Sequence, residues 1–299
     1  MVFIPSLIME RLQHMIARVE ALMARIENYF PVPPTLPDWQ NVYACRWRKH
    51  YQQGEFQAIY HPHQIYLQDL QGIPYQKEQI VRNTLQFLQK KPANNVLLWG
   101  SRGTGKSSLI KALLNEYASQ GLRLVEIEKH DLIDLPEIIE VFYQRPEYFI
   151  IFCDDLSFEQ DDASYKALKS VLDGSVSAPP ENILIYATSN RRHLLPEYMR
   201  ENLEAHQIDG EIHQGEAVEE KISLSDRFGL WLSFYPFKQE EYLAIVYYWL
   251  QKLGISDNDS EEVQKAAFQW ALQRGSRSGR TAWQFAKDWV GQKAVNLSC

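Results

Sequence analysis

A glycine-rich octapeptide constrains this chain more than any other part of its sequence. It spans residues 100–107, reads GSRGTGKS, and fits the pattern G-x-x-x-x-G-K-[ST] at every position. Glycines let such a loop wrap around an anion with its backbone N–H groups pointing inward, and the following helix offers its positive N-terminus. The candidate phosphate ligands are therefore Gly100, Ser101, Arg102, Gly103, Thr104, Gly105, Lys106, Ser107 and the adjacent Ser108.

The residues on either side of this loop agree with a phosphate site. An apolar strand is predicted at 95–99 before it, and an amphipathic helix at 107–117 after it. Lys106 is expected to reach the β- and γ-phosphates, and the Ser107 hydroxyl to bind Mg²⁺. The sequence thus predicts ATP and Mg²⁺ as cofactors, without distinguishing ATP from GTP.

A second motif lies at the end of an apolar strand predicted at 148–153, which runs directly into Asp154 and Asp155. Ligands of open α/β sheets bind at the carboxyl ends of parallel strands, where these carboxylates would lie. Asp154 is expected to hold Mg²⁺, partly through water, and Asp155 to orient or polarise an attacking water.

Strand and helix patterns alternate through the middle of the chain and then give way to helices alone. Helices are predicted at 136–143 and 165–172, and the alternation indicates a buried parallel sheet. The predicted fold class is an α/β three-layer sandwich with a parallel five-stranded sheet, followed by a small all-helical domain. The predicted strands are 95–99, 122–127, 148–153, 183–187 and 230–234, the late helices 240–253, 260–273 and 280–290, and the domains 1–66, 67–236 and 237–299.

The N-terminal 66 residues are predicted to be a helix followed by a linker. Apolar residues from Ile8 to Tyr29 recur every three or four positions, which fits either a coiled-coil seam or a helix packed on its own domain. Prolines at 31–37 end this helix. Residues 40–66 are aromatic and basic, and they suggest a solvated connector or, alternatively, a nucleic-acid contact.

Composition argues against several classes of protein, namely bulk nucleic-acid binders, zinc or disulfide frameworks and membrane-spanning proteins. Lysine and arginine number 31 against 38 acidic residues, and this net charge of −7 disfavours bulk phosphate-backbone binding. The three cysteines form no zinc spacing and no disulfide framework, so a cytoplasmic location is expected. The longest apolar runs have about half of the ~20 residues that a membrane-spanning helix needs.

With these motifs in this order, the sequence resembles the AAA+ ATPases from about residue 69 to the C-terminus. It is most similar to the predicted-ATPase family catalogued as domain of unknown function 815. The segments that carry this similarity are 94–100, 153–158 and 224–229. The resemblance implies a sheet of order 5-1-4-3-2 with a helical lid, but it supplies no substrate.

The resemblance also implies roles for further residues. Asp69, Gly72 and Ile73 would line the adenine pocket. Asn190 would position the lytic water, as the first sensor residue does in this superfamily. Arg227 would act as an arginine finger on the neighbouring subunit's nucleotide, which implies a homo-oligomer such as a ring or hexamer.

A second sensor residue is implied at the start of the last helix. Arg280 would reach the nucleotide from the lid, with Arg277 as a rival. The sequence departs from the usual family pattern at Asp155, where active members carry glutamate. The shorter side chain implies slow hydrolysis or help from Glu159, although replication-initiator ATPases share the Asp-Asp pair.

Three functions remain open from the sequence. The first is an oligomeric ATPase that remodels a macromolecule, and the second is a slow ATP-dependent switch that recruits a protein partner through its N-terminal helix. The third is a nucleic-acid loader, against which the net charge counts. A small-molecule kinase is disfavoured by the helical tail, and the acidic stretch 197–221 suggests either a partner-binding insertion or a solvated loop.

Overall fold

A mixed β-sheet of seven strands forms the centre of the molecule. The computed structural model describes residues 6–27, 34–50, 53–143, 145–158, 162–174, 180–192, 194, 206–208, 211–213, 224–255 and 260–296. The strands are β1 (Ala44–His50), β2 (Gln53–Ala58), β3 (Val96–Gly100), β4 (Leu122–Ile127), β5 (Tyr148–Cys153), β6 (Ile183–Ser189) and β9 (Leu230–Phe234). A separate small hairpin pairs β7 (His206–Ile208) with β8 (Glu211–His213).

The sheet confirms the five predicted strands and their order. Its order is β2-β1-β4-β5-β6-β3-β9, and the five strands from β4 to β9 run parallel. Because β5, β6 and β3 are neighbours, their carboxyl ends meet at one edge. The segments that follow these three strands include the phosphate loop and both acidic residues of the second motif.

The number of strands is a correction to the prediction. Within residues 40–66, expected to form a connector, β1 and β2 pair antiparallel, and β1 also pairs parallel with β4. The basic side chains that suggested a solvated segment have acidic partners. Arg46 donates to Glu126 at 2.7 Å, and Lys49 donates to Asp134 at 2.6 Å. Because its strands pair with each other and β1 pairs with β4, and because carboxylates neutralise its basic side chains, this segment is part of the sheet.

Eight helices of at least eight residues occur in the described ranges. Seven of them, all but α1, pack through two layers of apolar side chains, one on each face of the sheet: α2, α3 and the last three helices share one layer, and α4 and α5 share the other. The helices are α1 (Ser6–Glu27), α2 (Pro74–Leu88), α3 (Lys106–Tyr117), α4 (Leu135–Phe142), α5 (Ala163–Asp173), α6 (Gln239–Lys252), α7 (Glu261–Gln273) and α8 (Gly279–Asn296). The predicted three-layer sandwich and the three late helices are confirmed.

A buried arginine fastens the segment before β1 to this framework. The Arg123 guanidinium donates to the carbonyl of Trp39 at 2.7 Å and to those of Ala118 and Leu122 at 2.9 and 2.8 Å. It also lies 5.0 Å from the centroid of the Tyr43 ring. One cation thus satisfies three backbone oxygens from two distant parts of the chain.

Helix α1 carries an exposed apolar face. Side chains from Leu12 to Met23 on this face are 43–62% exposed, which is high for large apolar residues. The described part of α1 therefore does not pack onto the domain that follows it, contrary to one of the two sequence interpretations. No helix among the described residues is long and apolar enough to cross a membrane.

The hairpin suggests a first stability prediction. A Cβ added at Gly54 would lie 1.9 Å from the Trp47 ring, which packs 4.7 Å from Phe56 and donates from its Nε1 to Asp134. Because this ring cannot move away, we expect Gly54→Ala to lower the free energy of unfolding by about 1–3 kcal/mol in urea denaturation. Gly291→Ala is the matched control.

Gly291 lies within α8, and a Cβ added there would meet no other atom within 4 Å, so alanine at this position should raise stability by about 0.5–1 kcal/mol. Equal unfolding midpoints for the parent and Gly54→Ala would contradict the close packing of Trp47 against residue 54.

Candidate active site

The phosphate loop has a backbone that only glycine adopts readily at several positions. Gly100, Gly103 and Gly105 have φ angles of +127°, +74° and +105°. Gly105 is the residue before α3, so the loop runs directly into the N-terminus of that helix, which is the end that favours an anion. The glycines of the motif thus occupy positions at which the backbone favours glycine.

Lys106 is held inside the loop. Its Nζ donates to the carbonyls of Gly100 and Ser101, both at 2.8 Å, and to Asn190 Oδ1 at 3.2 Å. Burial lowers the pKa of Lys106 to about 8, and the nearby carboxylates of Asp155 and Asp154 oppose this shift. The ammonium group thus donates hydrogen bonds to protein oxygens that phosphate oxygens could replace.

Asp154 connects three segments of the site. Its Oδ1 accepts a hydrogen bond from Ser107 Oγ at 2.6 Å and another from Thr188 Oγ1 at 2.5 Å. The Ser107 hydroxyl and the Asp154 carboxylate are oxygen donors of the kind that Mg²⁺ prefers, and they already lie within contact of each other. The residues present therefore fit a magnesium ion.

Asp155 is held in an unusual conformation. Its φ is +52°, its backbone N–H donates to Thr188 Oγ1 at 2.9 Å, and its Oδ1 accepts a hydrogen bond from Asn190 Nδ2. Asn190 therefore contacts both Lys106 and Asp155. The two residues predicted to handle the attacking water lie side by side.

A cavity of about 980 Å³ opens beside these groups. One wall is the phosphate loop with Asp154, Asp155, Thr188 and Asn190, and the opposite wall comes from α6 and α8. Of the predicted nucleotide residues, those that line it are Arg102, Gly103, Thr104, Gly105, Lys106, Ser107, Ser108, Asp69, Ile73 and Arg280, whereas Gly100, Ser101 and Gly72 do not. Gly100 and Ser101 serve the site through their carbonyls, as described above.

Asp69 reaches the cavity, but its carboxylate is already engaged. Oδ1 accepts from the Tyr248 hydroxyl at 2.6 Å and from Lys252 Nζ, and Oδ2 accepts from the Tyr66 N–H at 2.9 Å. These hydrogen bonds hold the pKa of Asp69 below its usual value, against the opposing effect of burial. Gly72, with φ +78°, packs instead against Phe237.

The two candidate second-sensor arginines occupy different places. Arg280 lines the cavity, and its backbone N–H donates to the Gly103 carbonyl at 3.2 Å. Arg277 donates from Nε to the Phe237 carbonyl at 3.2 Å and does not line the cavity. The geometry separates two residues that the sequence left equivalent.

Arg227 lies away from the cavity of its own chain. Its Nε donates to Asp173 Oδ1 at the end of α5, and about a quarter of its side chain is exposed. The proposed helper Glu159 lies outside the described residues, as does most of the acidic stretch 197–221 apart from β7 and β8.

Several residues of the site received no role from the sequence, and Thr188 and three residues of the late helices are the clearest of them. Thr188 is a polar residue near the end of a buried strand, a position at the ligand-binding edge of the sheet that could have marked it. Trp249, Lys252 and Trp283 come from α6 and α8, and the two indole rings lie 4.5 Å apart. Ordinary helical patterns gave no signal that these helices would face the phosphate loop.

Most of the chain matches a known protein family. A family model described as "Protein of unknown function (DUF815)" matches residues 40–293. No curated protein sequence matches the chain.

Solved structures of RuvB from Thermotoga maritima are similar in fold. Two of its mutants match with TM-scores of 0.51 and 0.50 at 14% and 13% identity, each over 74% of this chain and 63% of theirs. The protein described as the RuvB Holliday junction branch migration motor matches at 15% identity and a TM-score of 0.49, with the same coverage. The present chain therefore spans less than two thirds of these structures. The likeness of the two mutant structures shows that this chain shares the fold of RuvB over the matched part, and it shows the fold alone.

The lowered pKa of Lys106 suggests a pH prediction. Only the protonated amine attracts phosphate, so above a pKa of about 8 the protein must take up a proton to bind. We expect the affinity for a nucleoside triphosphate to be constant below pH 7 and to fall by up to about tenfold per pH unit above pH 8. Equilibrium titration with a fluorescent nucleotide measures this.

Lys106→Arg is the control, because a guanidinium keeps its charge throughout this range. Its affinity should be weaker but flat between pH 7 and 9.5. A parent affinity that stays constant up to pH 10 would show that Lys106 does not provide a titrating contact.

Proposed function

The chain belongs to the family described as "Protein of unknown function (DUF815)", and from its AAA+ fold we propose that it binds ATP with Mg²⁺ and hydrolyses it. The observation that carries this proposal is the cluster of Lys106, Ser107 and Asp154 at the cavity. A phosphate chain placed there would meet the ammonium group, the helix N-terminus and the loop N–H groups together.

Ser107 and Asp154 would hold the metal, and Thr188 would keep the Asp154 carboxylate oriented. Bound Mg²⁺ would neutralise charge on the phosphate oxygens. Lys106 would exchange its carbonyl partners for phosphate oxygens, and Arg280 would add a second cation from the lid side. Each of these roles uses a side chain that already faces the cavity or borders it.

Asp155 and Asn190 are the proposed pair that orients the attacking water. Their mutual hydrogen bond engages Oδ1, one of the two Asp155 carboxylate oxygens that could orient such a water. This contact favours a second candidate function, in which the protein is a slow ATP-dependent switch. Nucleotide would then be bound tightly, and hydrolysis would wait for Asn190 to release the carboxylate.

Arg227 is the proposed arginine finger, acting on the nucleotide of a neighbouring subunit. Its position away from the cavity of its own chain is in keeping with such a role. The ion pair between Arg227 and Asp173 would then have to open when subunits associate. A homo-oligomer is therefore part of the proposal, and its number of subunits is left open.

Two kinds of partner beyond the oligomer are proposed, and the structure supports a protein partner better than a nucleic acid. The exposed apolar face of α1 suits a protein partner. A nucleic-acid loader is supported less, because Arg46 and Lys49 of the basic segment are paired with carboxylates. The proposed location is the cytoplasm, where the buried free thiols of Cys45 and Cys153 would remain reduced.

Mixing of variants tests the shared site. Lys106→Ala should abolish ATP turnover, and Arg227→Ala should lower it by at least about tenfold if the arginine stabilises the transition state. We expect that mixing the two inactive proteins restores part of the activity, since an intact Lys106 site then meets an intact Arg227 from its neighbour. Phosphate release measured against total protein concentration gives the readout.

Arg82→Ala is the control, since Arg82 is an exposed arginine that contacts Gln79 on α2. Restored turnover on mixing supports subunit-shared catalysis. Unchanged inactivity of the mixture, with a parent that turns over at a concentration-independent rate, would contradict it.

The switch hypothesis makes a different prediction for the same protein. If the Asn190 contact restrains Asp155, Asn190→Ala should leave ATP affinity within about twofold and should leave the slow turnover unchanged or raise it. If Asn190 positions the water in an active enzyme, turnover should fall by about 10²-fold or more. Single-turnover hydrolysis of bound ATP distinguishes the two.

A further inference from the structure

The carboxylate of Asp69 connects two parts of the cavity wall that are distant in sequence. Asp69 precedes α2, whereas Tyr248 and Lys252 lie one turn apart near the end of α6. The Tyr248 hydroxyl donates to Asp69 at 2.6 Å, and Lys252 Nζ donates to the same oxygen. Both Asp69 and Lys252 line the cavity.

The engagement of Asp69 argues against a direct contact with a base. Only 3% of the residue is exposed, and its two oxygens receive three hydrogen bonds. A base that used this carboxylate would have to displace donors from a buried anion, which is unfavourable. Lys252, by contrast, is 44% exposed and can follow movements of α6.

Trp249 lies between the two residues that Asp69 holds. It lines the cavity, and its ring lies 4.5 Å from that of Trp283 on α8. Lys252 Nζ is also 5.3 Å from the centroid of the Trp249 ring, within range of a cation–π contact. Holding Tyr248 and Lys252 therefore holds the turn of α6 that carries this indole, and the Lys252 ammonium also contacts its ring.

We propose that Asp69, Tyr248 and Lys252 form a latch that holds α6 against the body of the domain and positions Trp249 to pack against the nucleobase. This inference rests on the proposed nucleotide site and deepens it. Asp69 is then a positioning residue that acts through α6. The phosphate end has its own anchor, the hydrogen bond from the Arg280 N–H to the Gly103 carbonyl.

Two ligands distinguish the effect of the latch on binding from the effect of the phosphate site. MgATP carries a base, whereas magnesium tripolyphosphate offers the same anionic chain without one. We expect Asp69→Asn and Lys252→Met each to weaken MgATP binding about tenfold, through faster dissociation, while tripolyphosphate affinity changes less than twofold. Calorimetry gives the affinities, and stopped-flow displacement gives the dissociation rates.

A double-mutant cycle supplies the decisive comparison. Because both residues act through one contact, the double variant should bind MgATP no more weakly than the weaker single variant. Lys252→Arg should retain most of the affinity, since a guanidinium can still donate to Asp69. Lys293→Met is the matched control, as Lys293 stacks on Trp289 of α8 without lining the cavity, and its affinity should equal the parent's.

Several outcomes would overturn the latch. A loss in Asp69→Asn alone, with Lys252→Met unaffected, would mean that Asp69 contacts the base directly. Additive losses in the cycle, or equal losses for tripolyphosphate, would mean that the residues act separately or only through folding. If the parent protein binds tripolyphosphate and MgATP equally well, the nucleobase contributes nothing to binding and the latch has no base to position. If the parent protein binds neither ligand, the proposed function itself is overturned.

Discussion

The carboxylate of Asp154 holds together three segments that lie far apart in the sequence. It accepts hydrogen bonds from Ser107 at the start of α3 and from Thr188 near the end of β6, while Asp154 itself follows β5. The neighbouring order of β5, β6 and β3 in the sheet brings these ends within reach. Thr188 extends the same contact to the backbone of Asp155, so the geometry of both acids depends on one hydroxyl.

Aspartate at position 155 has a local physical explanation. A φ of +52° places this residue in the left-handed region, where the short polar side chains of aspartate and asparagine are better tolerated than longer ones. Glutamate there would extend further and would meet the backbone strain with less local compensation. Aspartate, where the sequence resemblance implied glutamate, is thus accompanied by a backbone that suits it, and Thr188 holds that backbone in place.

Local patterns predicted the phosphate loop, the five parallel strands and the late helices, because each depends on residues close together in sequence. Contacts between distant residues were not visible in this way. The β1–β2 hairpin looked like a charged connector, since the partners of Arg46 and Lys49 lie 80 and 85 residues further on. Asp69 was assigned to the adenine pocket from the resemblance of its segment, and its hydrogen bonds with Tyr248 and Lys252, 179 and 183 residues away, could not be predicted.

Gly103 carries a consequence for the shape of the site. A side chain there would meet Ser278 Oγ at 2.8 Å and the Cβ of Arg280 at 3.2 Å, so the loop has room for nothing larger. The beginning of α8 is equally confined, because it packs directly on the loop. A larger residue at position 103 would therefore require Ser278 and the beginning of α8 to move, so the shape of the phosphate loop and the position of the last helix constrain each other.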